Sequence, residues 1–229
     1  MINYFNDVNI KLTALQCEKF ENFKKLLLFY NNSFNITSII EDKEINIKHF
    51  IDSVCGESYF KNGAKVIEIG SGGGFPSIPL KILRDDLYFT LSESTGKKCQ
   101  FLNTVIKELD LDNIEVVNDR AENLAKMPKF REKFDVAVAR AVAKLNTLSE
   151  YCMPFVKIGG LFIAYKGDAE NEISQAENAV KILGGKIKEI KNYSLPENMG
   201  NRNIIITEKI KETDKKYPRG QGKERSKPL

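Results

Sequence analysis

VIEIGSGGGFPSIPL, residues 66–80, decides the fold. Val66, Ile67 and Ile69 form a short apolar run, glycine falls at 70, 72, 73 and 74, and Pro76-Ser77 opens a new segment. That order reads as a buried strand, a tight glycine-rich turn and a helix start. Outward from it, strands are expected near 64–70, 87–92, 113–118, 133–139, 157–165, 186–193 and 203–209. Helices are expected near 76–83, 96–109, 120–126, 144–152 and 169–183. Such alternation predicts an α/β fold with a doubly wound, mostly parallel seven-stranded sheet. The last two strands leave no room for a helix between them, so they should close as an antiparallel β-hairpin.

Ahead of the first strand the periodicity is helical. Thr13-Ala-Leu-Gln16 is a capping-box pattern, and Phe23, Leu26, Leu27 and Tyr30 follow at helical spacing. A second helix is expected over 45–55, with Ile47, Phe50, Ile51 and Val54 on its apolar face. The chain therefore divides into a helical cap (1–62), an α/β core (63–210) and a basic tail (211–229). Net charge is +4. Residues 209–229 hold eight Lys and Arg against three acids, an excess of five, so the rest of the chain carries −1. A basic, Gly/Pro-containing end suits a polyanion such as RNA, or serves only as a solvated end.

Other classes are disfavoured. No run of eighteen apolar residues is present, so no membrane span is expected. The start MINYFNDVNIKLT lacks the layout of a secretory signal. Cys17, Cys55, Cys99 and Cys152 lie far apart, which fits neither a metal site nor a disulfide framework. A cytoplasmic protein is expected.

The glycine turn narrows the ligand. The dinucleotide fingerprint Gly-x-Gly-x-x-Gly fails, because Phe75 stands where its third glycine belongs, and the Gly-Lys-Ser/Thr ending of a P-loop is absent. What remains, Glu68-x-Gly70-x-Gly72-x-Gly74, resembles the first motif of S-adenosylmethionine-dependent methyltransferases. That cofactor has no phosphate, but its carboxylate can sit near backbone N–H groups and a helix N-terminus. The next strand ends in Leu91-Ser-Glu93, an acid placed for two ribose hydroxyls, and the third in Asn118-Asp-Arg-Ala121-Glu122, where an adenine edge would be met.

The acceptor is read from what is missing. After the fourth strand the chain runs VAVARAVAKL around Arg140, without the Asn/Asp-Pro-Pro-aromatic run of exocyclic-amine methylation. No Pro-Cys pair offers a nucleophile for base carbon. Guanine N7 needs neither device, since its lone pair is free and no proton leaves. Catalysis would reduce to positioning and electrostatics. A small-molecule or protein methyltransferase, a non-catalytic RNA-binding assembly protein and an NAD-linked oxidoreductase are the rival readings.

Over nearly its whole length the chain resembles the bacterial 16S ribosomal RNA guanine-N7 methyltransferases, the RsmG type, also called glucose-inhibited division protein B. The matching stretches are HFIDS (49–53), IGSGGGFPSIPL (69–80), ESTGKKCQFL (93–102), RAEN (120–123), FDVAVARAVAKLNTL (134–148), GGLFIAYKG (159–167), NRNIII (201–206) and KYPRGQGKERSKPL (216–229). The resemblance implies a class I, Rossmann-like methyltransferase acting as a monomer on 16S ribosomal RNA or the small ribosomal subunit, with S-adenosyl-L-methionine as cofactor and no metal. It places cofactor contacts on Gly70, Gly72, Gly74, Phe75, Ala121, Glu122 and Arg140, with Glu93 at the ribose. It places basic catalytic or RNA-facing groups on Lys97, Arg140, Lys166 and Arg202. Glu93 departs from the aspartate more usual there and is one methylene longer. His49, one helical turn from Asp52, is read as a structural hydrogen-bonding residue rather than a proton carrier.

Overall fold

The structure is a computed structural model and describes residues 1–167 and 169–229. Seven strands, among the described residues, form one sheet: β1 (Lys65–Ile69), β2 (Tyr88–Ser92), β3 (Ile114–Val117), β4 (Phe134–Arg140), β5 (Val156–Lys166), β6 (Gly185–Ser194) and β7 (Asn201–Lys209). Their order is β3-β2-β1-β4-β5-β7-β6. The pairs β1/β2, β1/β4, β2/β3 and β4/β5 are parallel. Strand β7 runs antiparallel to both β5 and β6, closing the hairpin the spacing demanded. The order reverses between β1 and β2 on one side and β4 on the other, and both cavities described below open at that end of the strands.

Period-two alternation sorts the sheet residues between two cores. Val66, Val136, Val138, Ile163, Ile204 and Ile206 face one way, into a core shared with the N-terminal helices. Ile67, Ile69, Ala137, Ala139, Phe162 and Ala164 face the other way, toward the later helices. Glu68 and Arg140 keep step with Val66 and Val138, so both point to the cap side.

The helices are α1 (Ile2–Asp7), α2 (Ala14–Phe34), α3 (residues 42–54), α4 (Ser77–Leu83), α5 (Gly96–Glu108), α6 (Ala121–Leu124), α7 (Leu145–Cys152), α8 (Glu170–Ile182) and α9 (Lys223–Ser226). Among the described residues, no helix is long and apolar enough to cross a membrane. Helix α2 opens on the complete capping box: Thr13 N donates to Gln16 Oε1 at 2.9 Å, and Gln16 N to Thr13 Oγ1 at 3.2 Å. Gln16 Nε2 also reaches the Ile82 and Leu83 carbonyls, tying the cap to α4. Thr13→Ala is expected to cost about 1 kcal/mol of unfolding free energy, measured by urea denaturation.

Helix α3 departs from the regular helix its spacing suggested. Its middle, Ile45–Ile51, is π-helical, between short α-turns Asp42–Glu44 and Asp52–Val54. Ile47, Phe50, Ile51 and Val54 are all buried as expected. A turn one residue wider leaves that pattern intact, so apolar spacing carries no sign of it.

The basic end is anchored at a few points, while most of its lysines and arginines stay exposed. Arg131 donates to the carbonyls of Thr213 (2.7 Å), Asp214 (3.1 Å) and Tyr217 (2.9 Å). Lys209, fully buried, donates to Met153 O at 2.7 Å and Thr213 Oγ1 at 2.6 Å and lies 3.0 Å from Glu132. Arg219 meets buried Glu150 through its backbone N, Nε and Nη2. These contacts hold the tail beside α7, at the rim of a cleft.

Candidate functional site

The glycine turn after β1 is pinned by its neighbour strand: Gly70 N and Ser71 N both donate to Ser92 O, at 2.9 and 3.1 Å. Gly70 has φ +69°, and a Cβ there would lie 2.8 Å from Val142 Cγ2. Gly74 has φ +83°, and a Cβ there would meet Ile78 Cγ1 at 2.5 Å. Backbone conformation and space thus both demand glycine.

Two cavities flank the segment 140–142. The first, about 360 Å³, is lined by Ile69, Gly70, Ser92, Ser94, Asp119, Arg120, Ala121, Glu122, Val142, Tyr151, Gly222 and Arg225. Of the expected cofactor residues, Gly70, Ala121 and Glu122 are in this wall. Gly72, Gly74, Phe75 and Glu93 are not; they build the turn behind it, and Arg140, the last of the expected cofactor contacts, lies outside this wall and lines the other cavity. Glu93, 6% exposed, accepts from Gly72 N (2.9 Å) and Thr95 N (2.7 Å), binding the turn to the start of α5. Asn118 Nδ2 donates to the Glu93 carbonyl at 2.9 Å, fixing the third strand's end beside it.

The second cavity, about 430 Å³, is lined by Ile39, Lys48, His49, Asp52, Arg140, Ala141, Tyr165, Lys166, Gly167, Glu172 and Arg202. It brings together three of the expected basic residues, Arg140, Lys166 and Arg202. Arg140 turns inward at the end of β4. Its Nη1 donates to Asp52 Oδ2 (3.0 Å) and Lys48 O (3.1 Å), its Nη2 to His49 Nδ1 (3.0 Å), and its guanidinium stands 4.9 Å from the Phe75 ring centroid. Phe75 is stacked on His49 at 4.2 Å, so it packs under the second cavity rather than in the first.

An arginine can only donate, so His49 Nδ1 is an acceptor and Nε2 carries the proton, which it gives to Thr37 Oγ1 at 2.9 Å. Burial and the Arg140 charge push the His49 pKa down to about 3. The ring is neutral, with both nitrogens engaged. Asp52 is occupied as well, accepting from Tyr193 Oη at 2.7 Å, with Arg202 Nε at 3.6 Å. Lys166 is paired with Glu172 at 2.7 Å and donates to Ala143 O at 2.9 Å, bracing the loop after β4. Arg202 is the least committed of the three: Nη1 donates to Asn201 O, Nε stands 3.6 Å from Asp52, and the residue lines the cavity. Lys97 lines neither cavity; it is exposed on α5, with Nζ 6.0 Å from the Phe34 ring centroid.

Sequence reasoning missed Val142, Tyr151, Gly222 and Arg225 in the first cavity and Tyr193 at Asp52. Tyr193 lies on β6, far from Asp52 in the chain, and no local pattern announces such a contact. The tail residues were flagged by charge alone, not as a wall.

Two cavities that share a three-residue partition can hold a donor and an acceptor molecule side by side. The family model described as "rRNA small subunit methyltransferase G" matches residues 16–205. The chain belongs to this family. A Brevibacillus brevis protein named ribosomal RNA small subunit methyltransferase G is 46% identical over 223 residues, covering 96% of this chain and 94% of that one. The Clostridium novyi protein of the same name is 42% identical over 226 residues, covering 97% and 93%. Among solved structures, a SAM-dependent methyltransferase from Aquifex aeolicus superposes with TM-score 0.56 at 14% identity, covering 76% of this chain and 96% of that one. M. jannaschii TYW2 in complex with AdoMet gives 0.56 at 15% identity, covering 76% and 80%. These likenesses establish the class I, Rossmann-like methyltransferase fold for this member of the rRNA small subunit methyltransferase G family.

Proposed function

We propose that the chain transfers a methyl group from S-adenosyl-L-methionine to N7 of a guanine in small-subunit ribosomal RNA. The observation that carries this reading is the second cavity. It is walled by Arg140, Lys166 and Arg202, and the one imidazole in it is locked neutral with both nitrogens bonded. A site with cations and no free base suits an acceptor that already has its lone pair and an RNA that brings its own negative charge.

The first cavity fits the cofactor by its donors and shape. The bare turn at Gly70 leaves room that a Cβ would fill, and Asp119 and Glu122 offer acceptors at the end of β3. Bound there, S-adenosylmethionine would supply a methyl group on a sulfonium. Glu93 holds the turn from behind, Lys166 keeps the loop after β4 in place, and Arg140 fixes the floor of the acceptor cavity. Arg202 is the cation with freedom to meet a guanine edge or a phosphate. The cap 1–62 and the tail 211–229 flank the core 63–210 on the RNA side.

The test is transfer of methyl-tritiated S-adenosylmethionine to small subunits from a strain lacking this gene, followed by nucleoside digestion. Label in 7-methylguanosine is expected. Label in another nucleoside overturns the N7 assignment, and no label in RNA with cofactor still bound points to a small-molecule or protein acceptor.

A further inference from the structure

Phe29 is 71% exposed, the highest value for a large apolar side chain among the described residues. It is not a stray surface residue. Its ring meets Tyr30 edge-on at 5.2 Å, Tyr30 meets Phe34 at 5.6 Å, and Lys97 Nζ stands over Phe34 at 6.0 Å. Tyr30 is fixed from below by buried Phe101 at 5.7 Å. The surroundings suit a polyanion: no acidic residue occurs between Glu21 and Glu41, and Lys25, one helical turn before Phe29, is exposed.

This aromatic row lies outside both cavities but is tied by the chain to each. Lys97 follows Ser94, a residue of the first cavity wall. At the other end, Asn31 Oδ1 accepts from Ile36 N (2.7 Å) and Thr37 N (2.8 Å), which turns the chain after α2 back across the glycine turn. Ile36 covers Gly73, and Ile39 lines the acceptor cavity.

We propose that Phe29, Tyr30 and Phe34, capped by Lys97, form a stacking shelf for an unpaired base of the RNA, next to the nucleotide that enters the acceptor cavity. The inference rests on the RNA-methyltransferase reading above. The exposed Phe29 ring can take any base on its π-face, half-buried Tyr30 and Phe34 back it, and the Lys97 ammonium beside them meets the adjoining phosphate. A shelf at this place would hold a flanking nucleotide splayed out while its neighbour reaches the site.

The test uses the full-length protein and unmethylated small-subunit RNA, free and in assembled subunits. Phe29→Ala is expected to weaken affinity for free RNA about 10-fold and raise KM by as much. The rate at saturating RNA, the cofactor Kd and the thermal midpoint should be unchanged, since the ring lies outside the core. Phe29→Trp should restore affinity, whereas Phe29→Leu should not. The salt slope of binding should stay fixed in Phe29→Ala and fall by about one in Lys97→Ala. Wild-type methylation of RNA with unchanged affinity in Phe29→Ala overturns the shelf and leaves the function standing. No methylation of RNA by the wild type overturns both. Affinity lost only on assembled subunits assigns the patch to a protein contact, and a self-association abolished by Phe29→Ala assigns it to a second copy of this chain; either result overturns the RNA shelf.

Discussion

Arg140→Ala is expected to lower methyl transfer about 10²-fold, the largest single effect in the site. The guanidinium holds four groups at once: Asp52, the Lys48 carbonyl, His49 Nδ1 and the face of Phe75. All lie under the acceptor cavity, so truncation loosens its floor and leaves His49 Nδ1 without its donor. Removing one partner of a buried ion pair also costs folding free energy, about 3 kcal/mol here. Asp52 keeps Tyr193 and Arg202, which places the loss at the low end of that range. The protein should therefore still fold, and affinity for a cofactor in the first cavity, proposed above and on the other side of the 140–142 segment, should change little. Arg140→Lys keeps the charge but not the fork, and should recover stability more than activity. His49 should titrate above its present value of about 3 once the neighbouring charge is gone, because only burial then opposes protonation. An active Arg140→Ala enzyme would show that the acceptor cavity lies elsewhere.

The contrast between Gly70 and Phe75 explains what the sequence could reveal. Gly70 is dictated locally: a strand end, a left-handed turn and a residue without Cβ coincide within a few positions, and the cavity forms where the pattern says. Phe75 is a neighbour in the same motif, yet its ring is claimed by His49 and Arg140 from distant elements. The order of strands, the hairpin and the capping box are all local signals and are readable for the same reason. The roles of the basic residues are not. Lys166 and Arg202 sit on paired strands at one rim, but only tertiary packing gives Glu172 to the first at 2.7 Å and a longer 3.6 Å contact with Asp52 to the second. Lys97, similar in type, ends on an aromatic row outside both cavities because α2 brings Phe34 to it. Charge and position name a set of candidates; the partner each one meets decides what it can do.

Glu68 should give the protein a stability that falls as pH rises, through a group that takes no direct part in the site. It lies on β1 between Val66 and the glycine turn, fully buried. Neither carboxyl oxygen meets a donor in hydrogen-bonding geometry, and the nearby Ser77 hydroxyl is likewise unpaired. Burial raises its pKa to about 8, and the nearby polar groups of Ser77 and the Arg140 charge offset only part of that rise. In the unfolded chain the same group titrates near 4.5. Below that value both states are protonated and the contribution to stability is complete. Between the two values the unfolded state has released the proton and the folded state keeps it, so stability declines, and the decline ends once pH passes the folded value. Between pH 5 and pH 9 the change should be about 4 kcal/mol. Glu68→Gln cannot ionise, so urea denaturation of both proteins across that range isolates the effect. The variant should gain on the wild type as pH rises, and parallel curves would mean that the carboxyl is ionised in the folded state and that a counter-charge or donor satisfies it.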